Sequence, residues 1–273
     1  MKQAGIFLIA VMLLTGCSNF GKILKSNDVD YKYKKAVELY DKKKYNQAQQ
    51  LFENIFPFLK GRKEFEDAFY MFAFCYYHQS DYFNAENLFR QFSEVFPKST
   101  RVVEMDYMRA YTYYKQSPKV ELEQTNTIKA ISMLQQFINQ HPDSEKAKEA
   151  ADLIVKCREK LEAKEYQVAQ LYYHMGQYKA AAASYAAVLN NFPESPKADD
   201  YKLMVIKSYY QYANLSVQEK KEERYEQVVN ECNDFADKYP ESKLLKEAER
   251  YLQLSKNNIN SIKNEQTKKT TGS

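Results

Sequence analysis

Four cysteines, three histidines and 24 tyrosines are the side chains in this 273-residue chain from which a reactive or binding site could be built. A metal centre needs a second His, Cys or carboxylate at ligand spacing on the same helix face, such as i+4. His78, His141 and His174 have none, so each reads as a structural imidazole and no metal is expected. Neither a Gly-rich phosphate loop nor a nucleophile elbow occurs. Carboxylates are plentiful but alternate with lysines, as on solvated helix faces. No convergent acid, base and nucleophile can be assembled, so neither catalysis nor a cofactor is expected. Cys75, Cys157 and Cys232 are odd in number and far apart, which reads as three buried thiols rather than a disulfide framework.

Cys17 stands apart. Met1-Lys2 is followed by an apolar run from Ile6 to Leu14 and then Thr15-Gly16-Cys17. A basic start, a short apolar core and small residues before a cut site predict a secretory signal over 1–16. The run is too short to span a bilayer, which needs ~20 residues. Leu14-Thr15-Gly16-Cys17 looks like a bacterial lipobox, which implies a diacylglyceryl thioether on Cys17 and an acylated new N-terminus such as a palmitoyl amide. Several acyl chains, at ~0.8 kcal/mol per buried CH₂, hold a domain on a membrane stably. Ser18, where enteric sorting rules would need Asp for inner-membrane retention, favours the outer membrane, and the lack of an acidic run after it favours the periplasmic face.

The remainder must be the scaffold. Six glycines, seven prolines, 28% charged residues and a mean hydropathy of −0.69 predict an all-α protein with no further membrane span. The net charge of +4 is spread along the chain and predicts no nucleic-acid site. Five stretches begin at Tyr45, Tyr82, Thr127, Tyr178 and Tyr225. Apolar residues recur in each at helical offsets: Ala48, Ala85, Ala130, Ala181 and Val228, then Phe52, Phe89, Leu134, Tyr185 and Cys232, then Ile55, Phe92, Phe137, Val188 and Phe235. Phe96-Pro97, His141-Pro142, Phe192-Pro193 and Tyr239-Pro240 close four of them. Ser99, Ser144, Ser195 and Ser242 then read as N-caps of the next helices. A small residue precedes each start at Ala36, Ala73, Ala110 and Ala169, with Ile206 in the fifth.

This unit of two antiparallel helices resembles the tetratricopeptide repeat, which implies a right-handed superhelical stack of about five helix pairs. The starts lie further apart than the ideal ~34 residues. The excess falls in a turn around Lys115 to Asn126, a breaker-free run from Ser144 to about Met175, and a polar stretch from Asn214 to Arg224. The expected organisation is a signal over 1–16, a lipidated tether over 17–29, repeats over 30–255 and a disordered polar tail over 256–273.

Tyrosines recur seven apart on the first helices as Tyr33/Tyr40, Tyr70/Tyr77, Tyr107/Tyr114 and Tyr166/Tyr173. In tetratricopeptide arrays the first helices line the inner wall, so Tyr33, Tyr40, Tyr70, Tyr77, Tyr107 and Tyr114 are candidates for a peptide-binding groove. Packing between neighbouring first helices is the alternative use of the same rings. Lipobox, length and five divergent repeats together resemble the BamD family, the lipoprotein subunit of the outer-membrane β-barrel assembly machine (the BAM complex). That resemblance implies two protein partners. One is the periplasmic domains of the barrel-forming subunit, engaged from about Tyr166 onward; the other is unfolded barrel precursors, received between about Tyr33 and Tyr114. A repeat lipoprotein scaffold for cell-wall synthesis or secretion shares the architecture, as does a glycan-binding lipoprotein in part.

Overall fold

The computed structural model describes residues 20–271. These are all-helical: α1 (Val29–Asp41), α2 (Tyr45–Leu59), α3 (Phe65–His78), α4 (Tyr82–Val95), α5 (Val102–Gln116), α6 (Thr125–Gln140), α7 (Lys146–His174), α8 (Tyr178–Asn191), α9 (Ala198–Asn214), α10 (Gln218–Lys238) and α11 (Leu245–Thr271). Residues 20–24 add one short helical turn. The signal over 1–16 and Cys17 lie outside the described residues. The chain divides into two compact units at Arg158/Glu159, within α7.

The repeat register is met position by position. Ala36, Ala73, Ala110, Ala169 and Ile206 are all fully buried, as are Ala48, Ala85, Ala130, Ala181 and Val228. With no side chain beyond Cβ at most of these points, the two helices of a pair approach closely. The bulky residues one and two turns on fill the flanks: Phe52, Phe89, Leu134 and Tyr185 are equally buried. Each core also borrows from the next pair. In the first unit Ala68, Phe72 and Cys75 of α3 complete the core of α1 and α2, Met105 of α5 completes that of α3 and α4, and Ala150, Leu153 and Cys157 of α7 complete that of α5 and α6. In the second unit Val205 of α9 joins Ala169, Ala181 and Tyr185, and Ala248 of α11 joins Leu203, Ile206, Val228 and Phe235. No pair closes its own core, which is the cooperative logic of a tetratricopeptide-like stack.

The closing prolines act through the residue before them. Phe96, His141, Phe192 and Tyr239 take φ between −131° and −121° and ψ between 53° and 60°, because a following proline ring disfavours the helical conformation. The serines correct the expectation of N-caps. α5 and α9 have Arg101 and Lys197 at the N-cap, without a side-chain cap bond. Instead each serine Oγ accepts the N–H two residues on, from Arg101, Lys146, Lys197 and Leu244. Three also donate to a carboxylate on the pair's first helix: Ser99 to Glu66, Ser195 to Glu162 and Ser242 to Asp199, each at 2.6 Å. That carboxylate sits two turns before the small residue. The third pair has Val103 there, and Ser144 has no such acceptor.

Both ends differ from expectation. Over 17–29 the sequence predicts a lipidated tether; of its described residues, Phe20, Ile23 and Leu24 pack against the first core. The segment 256–273 was expected to be disordered, yet α11 continues to Thr271. Its apolar face, thinned to Ile259 and Ile262, covers Ala213 and Tyr225, and Lys263 pairs with Glu222 at 3.2 Å. Glu222 belongs to the polar stretch before Tyr225, which is the extended first part of α10. The two polar segments cover one another.

Candidate functional site

The six groove candidates come from α1, α3 and α5 of the first unit. Their apolar rings could not stay in water on a bare helix face, and the structure half-buries most of them. Tyr33 packs on the first core. Tyr40 stands edge-on to Tyr45, with centroids 5.6 Å apart. Tyr45 stacks on His78 at 4.2 Å, His78 lies 6.0 Å from Phe74, and Phe74 lies 4.7 Å from Tyr70. Tyr77 contacts Tyr82 and, across to α5, Tyr111 at 6.4 Å. Tyr111 stacks with both Tyr107 and Tyr114, at 5.8 and 5.7 Å. Five of the six candidates thus belong to a chain of rings joined by Phe74, His78 and Tyr111.

Tyr107 is a correction. At 3% exposure it is core, packed edge-on to Phe137, and is no groove contact. The heptad placed it in register with Tyr33 and Tyr70, but α6 and the start of α7 cover it. Tyr111 and His78 were missed. Tyr111 was visible as the middle of Tyr107, Tyr111 and Tyr114, a spacing of four and three that keeps all three on one helix face. His78 had no sequence signal beyond following Tyr77.

Polar groups hold the outer edge of the strip. The Tyr70 hydroxyl donates to Glu104 at 3.2 Å, and the Arg101 guanidinium lies 4.7 Å over its ring while pairing with Asp67 at 2.6 Å. Burial, then the Glu104 carboxylate, pushes the Tyr70 phenol up to about 12. Burial raises Tyr40 and Tyr77 as well. Burial, helped by the Lys43 charge, lowers His78, so this imidazole is neutral at pH 7 and stacks as an uncharged ring. Tyr40, Tyr70 and Tyr77 therefore offer aromatic edges and protonated hydroxyls at pH 7.

The second unit carries a groove that the sequence did not reveal. A cavity of about 640 Å³ opens between α7, α9 and the start of α11, walled by Tyr166, Tyr201 and Met204. Tyr166 and Tyr201 lie 5.3 Å apart. Glu162 accepts hydrogen bonds from both Ser195 and Tyr201, and Lys207 pairs with Glu247 at 2.8 Å. Glu159, Glu162, Asp200 and Glu247 outnumber Lys197 and Lys207, so the groove is acidic. Its residues come from three helices far apart in sequence.

Among the described residues no three His, Cys, Asp or Glu side chains are grouped to hold a metal ion, and no helix is long and apolar enough to cross a membrane. Burial pushes the Cys75 and Cys232 thiols up to about 12, far from a nucleophile's range.

Comparison with known proteins adds the family. No curated protein matches the sequence. Among solved structures, the TPR2AB domain of yeast Sti1 in complex with pHSP90 is 13% identical, with 84% of this chain and 98% of that one covered at a TM-score of 0.37. TTC0263, a thermophilic TPR protein in Thermus thermophilus, is 16% identical, with 83% and 98% covered at 0.32. MamA AMB-1 is 14% identical, with 79% and 94% covered at 0.31. The family model YfiO, described as an outer membrane lipoprotein, matches residues 25–225. Helix pairs, repeat register and this match agree, and the chain belongs to the YfiO family of outer membrane lipoproteins, the family its sequence resembles under the name BamD.

Proposed function

We propose that this lipoprotein is the lipid-anchored subunit of an outer-membrane protein assembly machine, held by Cys17 at the periplasmic face. In this reading it binds the periplasmic domains of the barrel-forming subunit and receives unfolded barrel precursors. The observation that carries the reading is the strip of half-buried rings along α1, α3 and α5, in a chain of this family. Barrel strands alternate apolar and polar residues and carry aromatic girdles. Rings already packed on one another lose little freedom when such a strand docks, and tyrosine adds a hydroxyl to each apolar edge. Because only edges are offered, each contact is shallow and the strand can be passed on. The acidic groove of the second unit supports a contact with the barrel-forming subunit that uses none of the residues of the precursor surface.

A pull-down from detergent-solubilised membranes, with the full-length lipoprotein tagged at its C-terminus, tests the assembly role. The expected partner is a large outer-membrane barrel with periplasmic domains. Recovery of cell-wall enzymes or a sugar transporter instead overturns it. Tyr40→Ala with Tyr70→Ala should weaken binding of an unfolded barrel precursor about tenfold, the ~1.4 kcal/mol of two lost aromatic edges, with Tyr107 left in the core. Unchanged binding would remove the strip as the precursor surface.

A further inference from the structure

The first helix pair exposes a large apolar ring beside the segment by which the chain enters the array. Phe58, near the end of α2, is 64% exposed although it is among the largest apolar side chains of the first unit. It lines a shallow pocket with Leu24, Lys25 and Val29. Lys25 is exposed beside it. It enters no ion pair among the described residues. The nearby acids are otherwise engaged: Asp28 caps α1 by accepting the Tyr31 N–H, and Asp30 pairs with Arg62 at 2.8 Å. An exposed phenyl beside an unpaired ammonium group is the pattern of an interfacial contact, with the ring at the headgroup–acyl boundary and the charge on anionic headgroups.

The position of this face names its occupant. Phe20, Ile23 and Leu24 are already packed on the first core, so only the three peptide units from Cys17 to Phe20 separate the anchor from the folded array. Three units span at most about 11 Å however they run. An acylated Cys17 therefore holds this end of the first unit at the membrane surface rather than on a long leash. We infer that the Phe58–Lys25 face rests on the anionic lipid surface and orients the first helix pair against the membrane. This rests on the acylation of Cys17 set out above.

The chain has no tryptophan, so Phe58→Trp creates a single emitter at an exposed point that leaves the core intact. The full-length acylated protein is reconstituted in phosphatidylethanolamine/phosphatidylglycerol vesicles, with and without brominated acyl chains. The expected result is a blue-shifted emission that brominated lipid quenches. Phe83→Trp, on α4 and 78% exposed, should keep an aqueous spectrum and escape quenching. Adding Lys25→Glu to Phe58→Trp should reduce the quenching, as should raised salt, which screens headgroup attraction beyond ~8 Å. Protein that floats with the vesicles while the indole of Phe58→Trp stays unquenched overturns the face and leaves the anchor standing. Protein that does not float overturns both.

Discussion

The serine–carboxylate bonds between turn and first helix make an internally controlled prediction. Ser99, Ser195 and Ser242 each donate at 2.6 Å to Glu66, Glu162 or Asp199, whereas Ser144 faces a repeat with Val103 in the acid's place. All four accept the same backbone N–H. Truncation to alanine therefore removes two bonds at three sites and one bond at the fourth. A bond to a charged group contributes ~1.5–3 kcal/mol and a neutral one ~0.5–1.5; these sites are partly buried, so the low ends apply. Ser99→Ala should lose about 2 kcal/mol and Ser144→Ala about 0.5. For a domain of this size that separates the two midpoints by about 3–6 °C. The assay is thermal and urea unfolding of the Cys17→Ala chain, followed by circular dichroism, with Ser99 and Ser144 compared within the first unit and Ser195 and Ser242 within the second. The reverse experiment is sharper. Val103→Glu should supply the missing acceptor, so a double-mutant cycle with Ser144→Ala should show a coupling of about 1 kcal/mol absent from the parent. If Ser144→Ala costs as much as Ser99→Ala, or the cycle shows no coupling, the carboxylate bond is not what ties these turns down.

Further outcomes follow from other parts of the fold. Gly176, at φ 73°, ends α7 in the left-handed region; Gly176→Ala should destabilise by ~1–2 kcal/mol although a Cβ meets nothing there. At the equivalent turn Ser80 is held at φ 62°, and Ser80→Gly should raise stability by about 0.5 kcal/mol, strain relief exceeding the added chain entropy; both are read as midpoint shifts. Deleting residues 256–273 should lose about 3 kcal/mol from the second unit, because Ile259 and Ile262 no longer cover Ala213 and Tyr225; an unchanged urea midpoint would mean that this end of α11 adds nothing. Tyr70, with its phenol raised to about 12 in the fold against ~10 unfolded, stays protonated where the unfolded chain ionises. The contribution of this phenol is therefore constant below pH ~10 and is lost as pH rises toward 12, so the urea midpoint should fall between pH 10 and 12 and Tyr70→Phe should lessen that fall; an equal fall in Tyr70→Phe would refute it.

Much of the stack was legible because two helical periods had to agree. Small residues at Ala36, Ala73, Ala110 and Ala169 and the offsets after each start describe one buried stripe per helix, and every one of these positions is buried. What was not legible depends on partners distant in sequence. The serines had the composition of N-caps, but all four accept the N–H two residues on within the turn, and at three of them a carboxylate on the pair's first helix takes the hydroxyl proton. Tyr107 shared a register with Tyr70 and lost its exposure to α6. The acidic groove needs Glu162, Asp200 and Glu247 from three helices. The polar run before Tyr225 and the lysine-rich C-terminus each lack a core when read alone; Lys263 with Glu222, and Ile262 with Tyr225, supply it only when the two are placed together.

The use of tyrosine rather than tryptophan or phenylalanine along α1, α3 and α5 has a physical reason within the proposed function. A phenylalanine strip of this extent would be a sticky apolar patch, prone to hold any unfolded chain and to recruit a second copy. Tyrosine hydroxyls keep the outer edge hydrated, and at Tyr70 the hydroxyl is fixed by Glu104 with Arg101 above the ring. The rings are locked before a ligand arrives, through Tyr45 on His78 and Tyr111 between Tyr107 and Tyr114. Docking then gains area with little ordering cost, while the hydrated edges limit how much area there is to gain. On the proposed reading affinity is modest and release fast, as a surface that hands a strand onward requires.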